Sequence, residues 1–318
     1  MSRAGALRIG TRTSALALWQ AREVASRIAA QPDAPAVELV HIRTSGDLQS
    51  ERPLWQVRGQ AFFTREIDRA LLDEEVDVAV HSLKDLPTQL DAGLELAALL
   101  PRADPRDALV SRCGAAIAAL PAGARIGTSS LRRRAFLARL RPDAALLELR
   151  GNVPTRLERL QRGEYDAIVL AAAGLVRLGL AQHVSEYLPA ESFLPAVSQG
   201  VIGVCARSGD EATLRWLAAL DAPDARLAAS AERALLKRLE GGCQVPLGAL
   251  ATVHGDTLTL MACVCTLDGS RHLTARAEAP AVPAAAEALG VRLAEELLAR
   301  GAGELMASER EARAVEAP

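Results

Sequence analysis

The sequence predicts an α/β protein with a smaller α+β unit at its C-terminal end. Three observations carry that reading. First, 318 residues, 50% of them hydrophobic and 24% charged, suffice for about two domains with buried cores, with room for three small ones. Second, over the first two hundred residues short apolar runs alternate with stretches of helical spacing, the pattern of parallel sheets covered by helices. Third, after Asp221 the pattern changes to one helix, three strands and a last helix.

In chain order, Leu7-Arg8-Ile9-Gly10 reads as a strand. Ser14 to Ala30 reads as a helix, because Leu16, Trp19, Val24 and Ile28 recur near helical spacing. Val37 to Ile42 is the next strand and Phe63 to Leu72 the next helix. Val76 to Val80 reads as a buried strand ending at His81-Ser82. Arg125-Ile126-Gly127 is a short strand, and Thr128-Ser129-Ser130 leads into a helix through Leu140. Leu146 to Leu149 reads as a strand, Asn152 to Gln161 as a helix and Asp166 to Leu170 as a strand. Beyond the change, Arg226 to Leu239 is a helix. Ala249 to Val253, Thr257 to Cys265 and His272 to Ala277 form an expected antiparallel meander, and Ala284 to Arg300 the final helix. Breaks at Pro101 to Pro105, Pro195 to Gly200 and Ala222-Pro223 mark the expected hinges. No internal repeat is visible.

Composition excludes several classes. A formal net charge of −2 with only 3% aromatic residues argues against nucleic-acid binding through bulk charge and base stacking. The longest apolar run, Ala167 to Val176, is too short to span a bilayer, and Met1 to Gly10 lacks the apolar core of a secretory signal. Five cysteines, an odd number spread widely, fit free thiols in a reducing compartment, so a cytoplasmic location is expected. Of 37 basic residues only Lys84 and Lys237 are lysine, a mild hint that those positions want an ammonium.

Four motifs carry chemistry. In Gly127-Thr128-Ser129-Ser130-Leu131-Arg132-Arg133-Arg134 a strand ends, hydroxyls cap a helix and arginines fill its first turn. Free N–H groups and the helix dipole favour an anion there. The plainer alternative is an ordinary N-cap with a solvated basic face. Leu149-Arg150-Gly151-Asn152-Val153-Pro154-Thr155-Arg156 repeats the arrangement, with Asn152 as cap and Pro154 suited to the first turn. Arg12 and Arg177 follow strands in the same manner. Any one of these arginines reads as surface charge; their repetition at strand ends points to a ligand at the carboxyl edge of the sheets. The third motif, His81-Ser82-Leu83-Lys84-Asp85-Leu86-Pro87, sets Lys84 and Asp85 at a sheet edge, where a carboxylate can stabilise positive charge. His81 reads as a hydrogen-bonded structural histidine. The fourth, Leu239-Glu240-Gly241-Gly242-Cys243-Gln244-Val245-Pro246, offers an accessible thiol on an open loop. Cys263 and Cys265 share a strand face without a partner pair for a metal; Cys113 and Cys205 read as structural. Phosphate-loop, zinc-protease, dinucleotide and EF-hand motifs are absent from the sequence.

Together these motifs resemble one family, hydroxymethylbilane synthase, also called porphobilinogen deaminase. The matching blocks are Arg12 with Ala17-Leu18-Trp19-Gln20, Asp77 to Pro87, Asp104 to Ala108, Gly127 to Arg133, Leu149 to Leu157, Tyr165 to Gly179, Leu194 to Gly200, and Ala231 to Gly248. The resemblance implies two periplasmic-binding-protein-like (type II) α/β domains around a cleft, residues 1–100 with 200–219 and residues 105–195, plus a small C-terminal α+β domain, residues 222–318, that carries the cofactor cysteine. It implies a monomeric transferase that joins four porphobilinogen molecules head to tail into hydroxymethylbilane, releasing ammonia, in tetrapyrrole and haem biosynthesis. It also implies a dipyrromethane cofactor attached through Cys243. On that resemblance, Asp85 carries the chemistry with Lys84 and Arg12. Ser82, Lys84, Asp85, Thr128, Ser129 and Ser130 contact the cofactor, as do Arg132, Arg133, Arg150, Gly151 and Arg156. Arg12, Gln20, Arg150, Arg156, Arg177 and Gln199 hold substrate, and Arg58 and Phe63 belong to a lid. No metal, nucleic acid or membrane is implied.

The chemistry of the residues agrees with this. Each pyrrole bears two carboxylates, so the growing chain is a polyanion that suits guanidinium forks. Departures fall in the lid segment, where Gln56 and Gln60 replace usual lysines and Arg58 and Ala61 usual glycines. Ser198 also replaces a glycine, and Cys205 stands where an acid is common. Two alternative readings are a non-catalytic binder of small anions and a degenerate copy that elongates poorly.

Overall fold

A computed structural model describes residues 5–44, 64–239 and 246–307. The described chain divides into two compact units. The first draws on residues 5–44, 64–103 and 200–226, the second on residues 104–199, 227–239 and 246–307.

The first unit is built on a five-stranded sheet in the order Val37–His41, Leu7–Thr11, Val78–Ser82, Ile202–Arg207, Leu94–Leu99. The first three strands are parallel, whereas Ile202–Arg207 runs antiparallel to both its neighbours. The helix Ala15–Ala29 starts at Ser14, whose side chain accepts from the Ala17 N–H, and it buries Ala21, Val24 and Ile28 in the same core as Ile9, Val78, Val80 and Val204.

The second unit repeats the plan in a second five-stranded sheet, Ala145–Leu147, Arg125–Gly127, Ala167–Ala171, Asp107–Ser111, Glu186–Tyr187. Again a parallel trio is followed by an antiparallel strand, Asp107–Ser111. The likeness between the two sheets lies in topology and left no trace as a sequence repeat. The C-terminal meander is Leu247–His254, Thr257–Cys265 and His272–Pro280. It is covered by the helices Pro223–Leu239 and Pro283–Ala299 through an alanine- and leucine-rich core.

Several expectations need correction. Both large sheets are mixed rather than parallel. The strands Leu94–Leu99, Asp107–Ser111 and Ile202–Arg207 and the helix Glu211–Ala218 were not foreseen. The third strand begins at Val78 and reaches Ser82, and the strand expected at Leu146 to Leu149 is Ala145–Leu147. Cys113 is exposed, so it is no core residue; Cys205, Cys263 and Cys265 are buried. The C-terminal part is the small three-stranded sheet with helices that was expected, and it groups with residues 104–199 in one compact unit. The reason is a shared core: Leu250, Met261 and Cys263 pack with Phe136, Phe193 and Leu194. Gly269 seals the contact. At φ +73 it turns the last hairpin, and a Cβ there would lie 2.5 Å from the Arg139 backbone nitrogen. No described helix is long and apolar enough to cross a membrane.

Candidate active site

In the first unit, the strand Val78–Ser82 runs straight into a short helical turn, Leu83–Asp85. Leu83 and Leu86 are buried on either side of Lys84 and Asp85, and the Leu83 N–H donates to the Val201 carbonyl at 3.0 Å. Pinning those two leucines forces Lys84 and Asp85 outward, and both are exposed. Asp85 borders an open pocket together with Arg12, Ser14, Gln20, Thr64, His81 and Ser82. Arg12 arrives from the loop between Leu7–Thr11 and the Ser14-capped helix. Gln20 comes from the buried side of that helix, and its Nε2 donates to Ser82 Oγ at 2.8 Å. His81 is buried with Nε2 3.4 Å from Asp68 Oδ1, but neither atom makes a hydrogen bond among the described residues, so the burial agrees with the expectation and the hydrogen bond does not. The structure thus brings Arg12, Gln20, Ser82 and Asp85 to one cavity.

In the second unit the two predicted helix starts are present. Ser130 Oγ accepts from the Arg133 N–H and Asn152 Oδ1 from the Thr155 N–H. Gly151, at φ +107, makes the turn between Arg150 and the second helix; a Cβ there would sit 3.0 Å from Thr155. The arginines divide into two groups. Arg150, Arg156 and Arg177 are half-buried, and Arg156 Nε donates to the Gly151 carbonyl at 2.8 Å. Burial holds the Arg150 guanidinium below its usual value, with Glu148 opposing.

Arg132 and Arg133 point inward and are almost fully buried, 5% and 6% exposed. Both pair with Asp107, at 2.7 Å and 2.8 Å. Arg132 also donates to the Leu194 carbonyl at 2.6 Å and Arg133 to the Val169 carbonyl at 3.0 Å. Gln199 Nε2 donates to Asp107 Oδ1 at 3.0 Å and to the Pro105 carbonyl at 2.9 Å. Burial alone would push the Asp107 carboxyl up; Arg132 and Arg133, with the Gln199 and Arg133 hydrogen bonds, bring it down to about 2. Gln199, expected to hold substrate, is 1% exposed and its amide serves this network. Asp107 is the member that sequence reading missed; its place beside Arg106 in Asp104 to Ala108 was the only signal.

The hydroxyls of this unit differ in which way they point. Ser129 Oγ donates to the Leu149 carbonyl, so its proton is spent. Thr128 Oγ1 accepts from the Ser130 N–H at 3.2 Å, and Ser130 accepts from Arg133, which leaves both hydroxyl protons for other partners. Cys243, Arg58 and Phe63, with Gln56, Gln60 and Ala61, lie outside the described residues.

Whether such groups suit a dipyrromethane is a question of donor chemistry. The ligand bears several carboxylates. Arg132, Arg133 and Asp107 together carry one positive charge in excess, and Arg132 Nε is buried without a hydrogen-bond partner among the described residues. Half-buried Arg150 and Arg156 stand at the neighbouring helix start. That set fits a polycarboxylate. Among the described residues no cluster of histidine, cysteine and acid groups could hold a metal.

Comparison with known proteins gives the family. The family model "Porphobilinogen deaminase, dipyromethane cofactor binding domain" matches residues 7–215, and "Porphobilinogen deaminase, C-terminal domain" matches residues 226–299. The porphobilinogen deaminase of Geobacter metallireducens is 50% identical over 301 residues, 95% of this chain and 94% of the relative. That of Roseiflexus castenholzii is 50% identical over 301 residues, 95% of this chain and 98% of the relative. Among solved structures, the methionine-binding protein MetQ aligns over 67% of this chain and 89% of its own, with 13% identity and a TM-score of 0.44. With two family models spanning nearly all of the described sequence and half of its residues shared with those relatives, the chain belongs to the porphobilinogen deaminase family.

Proposed function

We propose that this chain joins four porphobilinogen molecules into hydroxymethylbilane, with loss of ammonia at each addition, on a dipyrromethane held by the sulfur of Cys243. The observation that carries the reading is the pocket in which the Asp85 carboxylate faces the same cavity as Arg12, Ser82 and Gln20, in a member of this family. When bound, the dipyrromethane supplies the pyrrole carbon to which the first substrate is joined. Asp85 does the electrostatic work: ammonia loss leaves positive charge on the substrate's pyrrole methylene, and an exposed carboxylate beside it lowers that barrier. Lys84 and Arg12 neutralise substrate carboxylates that would otherwise repel Asp85. Arg150, Arg156 and Arg177, with the Thr128 and Ser130 hydroxyls, supply donors to a polyanion. Arg132, Arg133 and Gln199 act as a buried framework that positions the helix start. Arg58, by this reading, offsets part of the charge absent at Gln56 and Gln60. We place the protein in the cytoplasm as a monomer acting in tetrapyrrole and haem biosynthesis.

Intact-protein mass spectrometry tests the proposal. The purified chain should carry an adduct of two pyrrole units that disappears in Cys243→Ala, and it should release ammonia and hydroxymethylbilane from porphobilinogen. A chain without the adduct, or one with the adduct and no product, overturns it.

A further inference from the structure

Gln20 stands out on its helix. Of the buried residues of Ala15–Ala29 it is the only polar one, beside Ala21, Val24 and Ile28. A primary amide set into an apolar face is costly unless its hydrogen bonds are made, so the position asks for a reason. The amide's Nε2 donates to Ser82 Oγ at 2.8 Å. That direction has a consequence for the hydroxyl. A serine hydroxyl has one proton and two lone pairs; with a lone pair already taken by the amide, the proton must point elsewhere. No described residue accepts it. Ser82 is half-buried at the end of its strand and lines the pocket beside Asp85 and Arg12.

We propose that Gln20 is a positioning residue: its amide fixes the Ser82 hydroxyl as an outward donor, aimed at a carboxylate of the pyrrole ligand in the pocket. This rests on the function proposed above and assigns Gln20 a task through Ser82 rather than through direct contact with substrate. Without the amide, Ser82 is a free rotor that must be ordered at each binding event. With it, the donor is oriented beforehand and cannot turn back into the helix face.

The test is a double-mutant cycle on cofactor-loaded protein, read as kcat/KM for porphobilinogen. Ser82→Ala should lower kcat/KM about tenfold, the scale of one hydrogen bond to a charged group, and Gln20→Met about fivefold. The decisive figure is the double variant. If Gln20 works through Ser82, Gln20→Met/Ser82→Ala is no more than about twofold worse than Ser82→Ala alone, because the group being oriented is gone. Gln20→Asn, which keeps an amide one methylene too short to reach Ser82, should give the same cycle and stands in if the Met variant folds poorly. Losses that multiply in both cycles, or single Gln20 variants with unchanged kcat/KM, overturn the assignment. A parent protein that releases no ammonia from porphobilinogen would instead sink the functional reading itself.

Discussion

Ser198 occupies a backbone conformation that its side chain resists. Its φ is +63, it is fully buried, and its hydroxyl finds no partner among the described residues. The conformation is held from outside: the Ser198 N–H donates to Glu232 Oε2 at 2.6 Å, and the other oxygen of Glu232 accepts from the Ala251 N–H at 2.7 Å. Replacing Ser198 with glycine should therefore stabilise the fold. Relief of the left-handed conformation is worth about 1–2 kcal/mol, and removal of a buried unpaired hydroxyl about 1–3 kcal/mol. Against these stand about 0.4–1 kcal/mol of extra chain entropy in the unfolded state and about 1 kcal/mol of lost packing. The balance is a gain of about 1–2 kcal/mol, or a rise in melting temperature of about 3 °C for a chain of this size. Thermal and urea unfolding of Ser198→Gly measure it. Ser198→Ala separates the two causes, since it removes the hydroxyl and keeps both the Cβ and the strained φ: a gain of about 1–3 kcal/mol assigns the cost to the unpaired hydroxyl, and no gain assigns it to the backbone. A Ser198→Gly protein that melts at or below the parent temperature would show that neither strain nor the unpaired hydroxyl costs what the geometry implies.

Two further outcomes follow from the same structure. Asp107 has its carboxyl lowered from the ordinary 3.8 to about 2, so its ion pairs contribute in full above the ordinary value and are lost as the pH falls from 3.8 towards 2, a change of about 2 kcal/mol. Asp107→Asn, which leaves two buried guanidiniums without a counter-charge, should cost about 3–5 kcal/mol near neutrality, and its gap to the parent in urea unfolding should narrow below pH 4; a gap constant down to pH 2 contradicts the assignment. Asp85→Asn removes an exposed carboxylate with few structural ties, so the melting temperature should stay within about 1 °C while ammonia release falls at least about a hundredfold, and near-parental turnover would remove Asp85 from its proposed role.

Much of the site was legible because it is built from local rules. Ser14, Ser130 and Asn152 each announce a helix start, and each is found capping one. The placing of Asp85 outward follows from the leucines on either side of its turn. What stayed hidden depends on partners far away in sequence. The strand Ile202–Arg207 is defined by pairing with Val78–Ser82 and Leu94–Leu99, more than a hundred residues upstream, so no local pattern marks it or its antiparallel direction. Asp107–Ser111 opens on a carboxylate, which in a single sequence reads as a turn. It is a buried strand residue only because two arginines from another element neutralise it. For the same reason, Arg132 and Arg133 look like a solvated helix face until Asp107 is set beside them.

That trio also explains why guanidinium, rather than ammonium, stands at the head of the helix Leu131–Leu140. Two cations at a helix N-terminus oppose the dipole, and burial adds a desolvation cost that one carboxylate cannot offset alone. Arg132 answers by spreading its donors: one terminal nitrogen lies 2.7 Å from Asp107 Oδ2 and the other 2.6 Å from the Leu194 carbonyl, two acceptors that a single ammonium could not serve in this fork geometry. Arg133 does the same between Asp107 and the Val169 carbonyl. The surplus positive charge is then carried by rigid side chains beside free helix N–H groups, where an anion is favoured by both charge and dipole. On the function proposed above, a carboxylate-rich ligand at this helix start would lower the energy of the arrangement as well as its own, and stability spent here would be returned on binding.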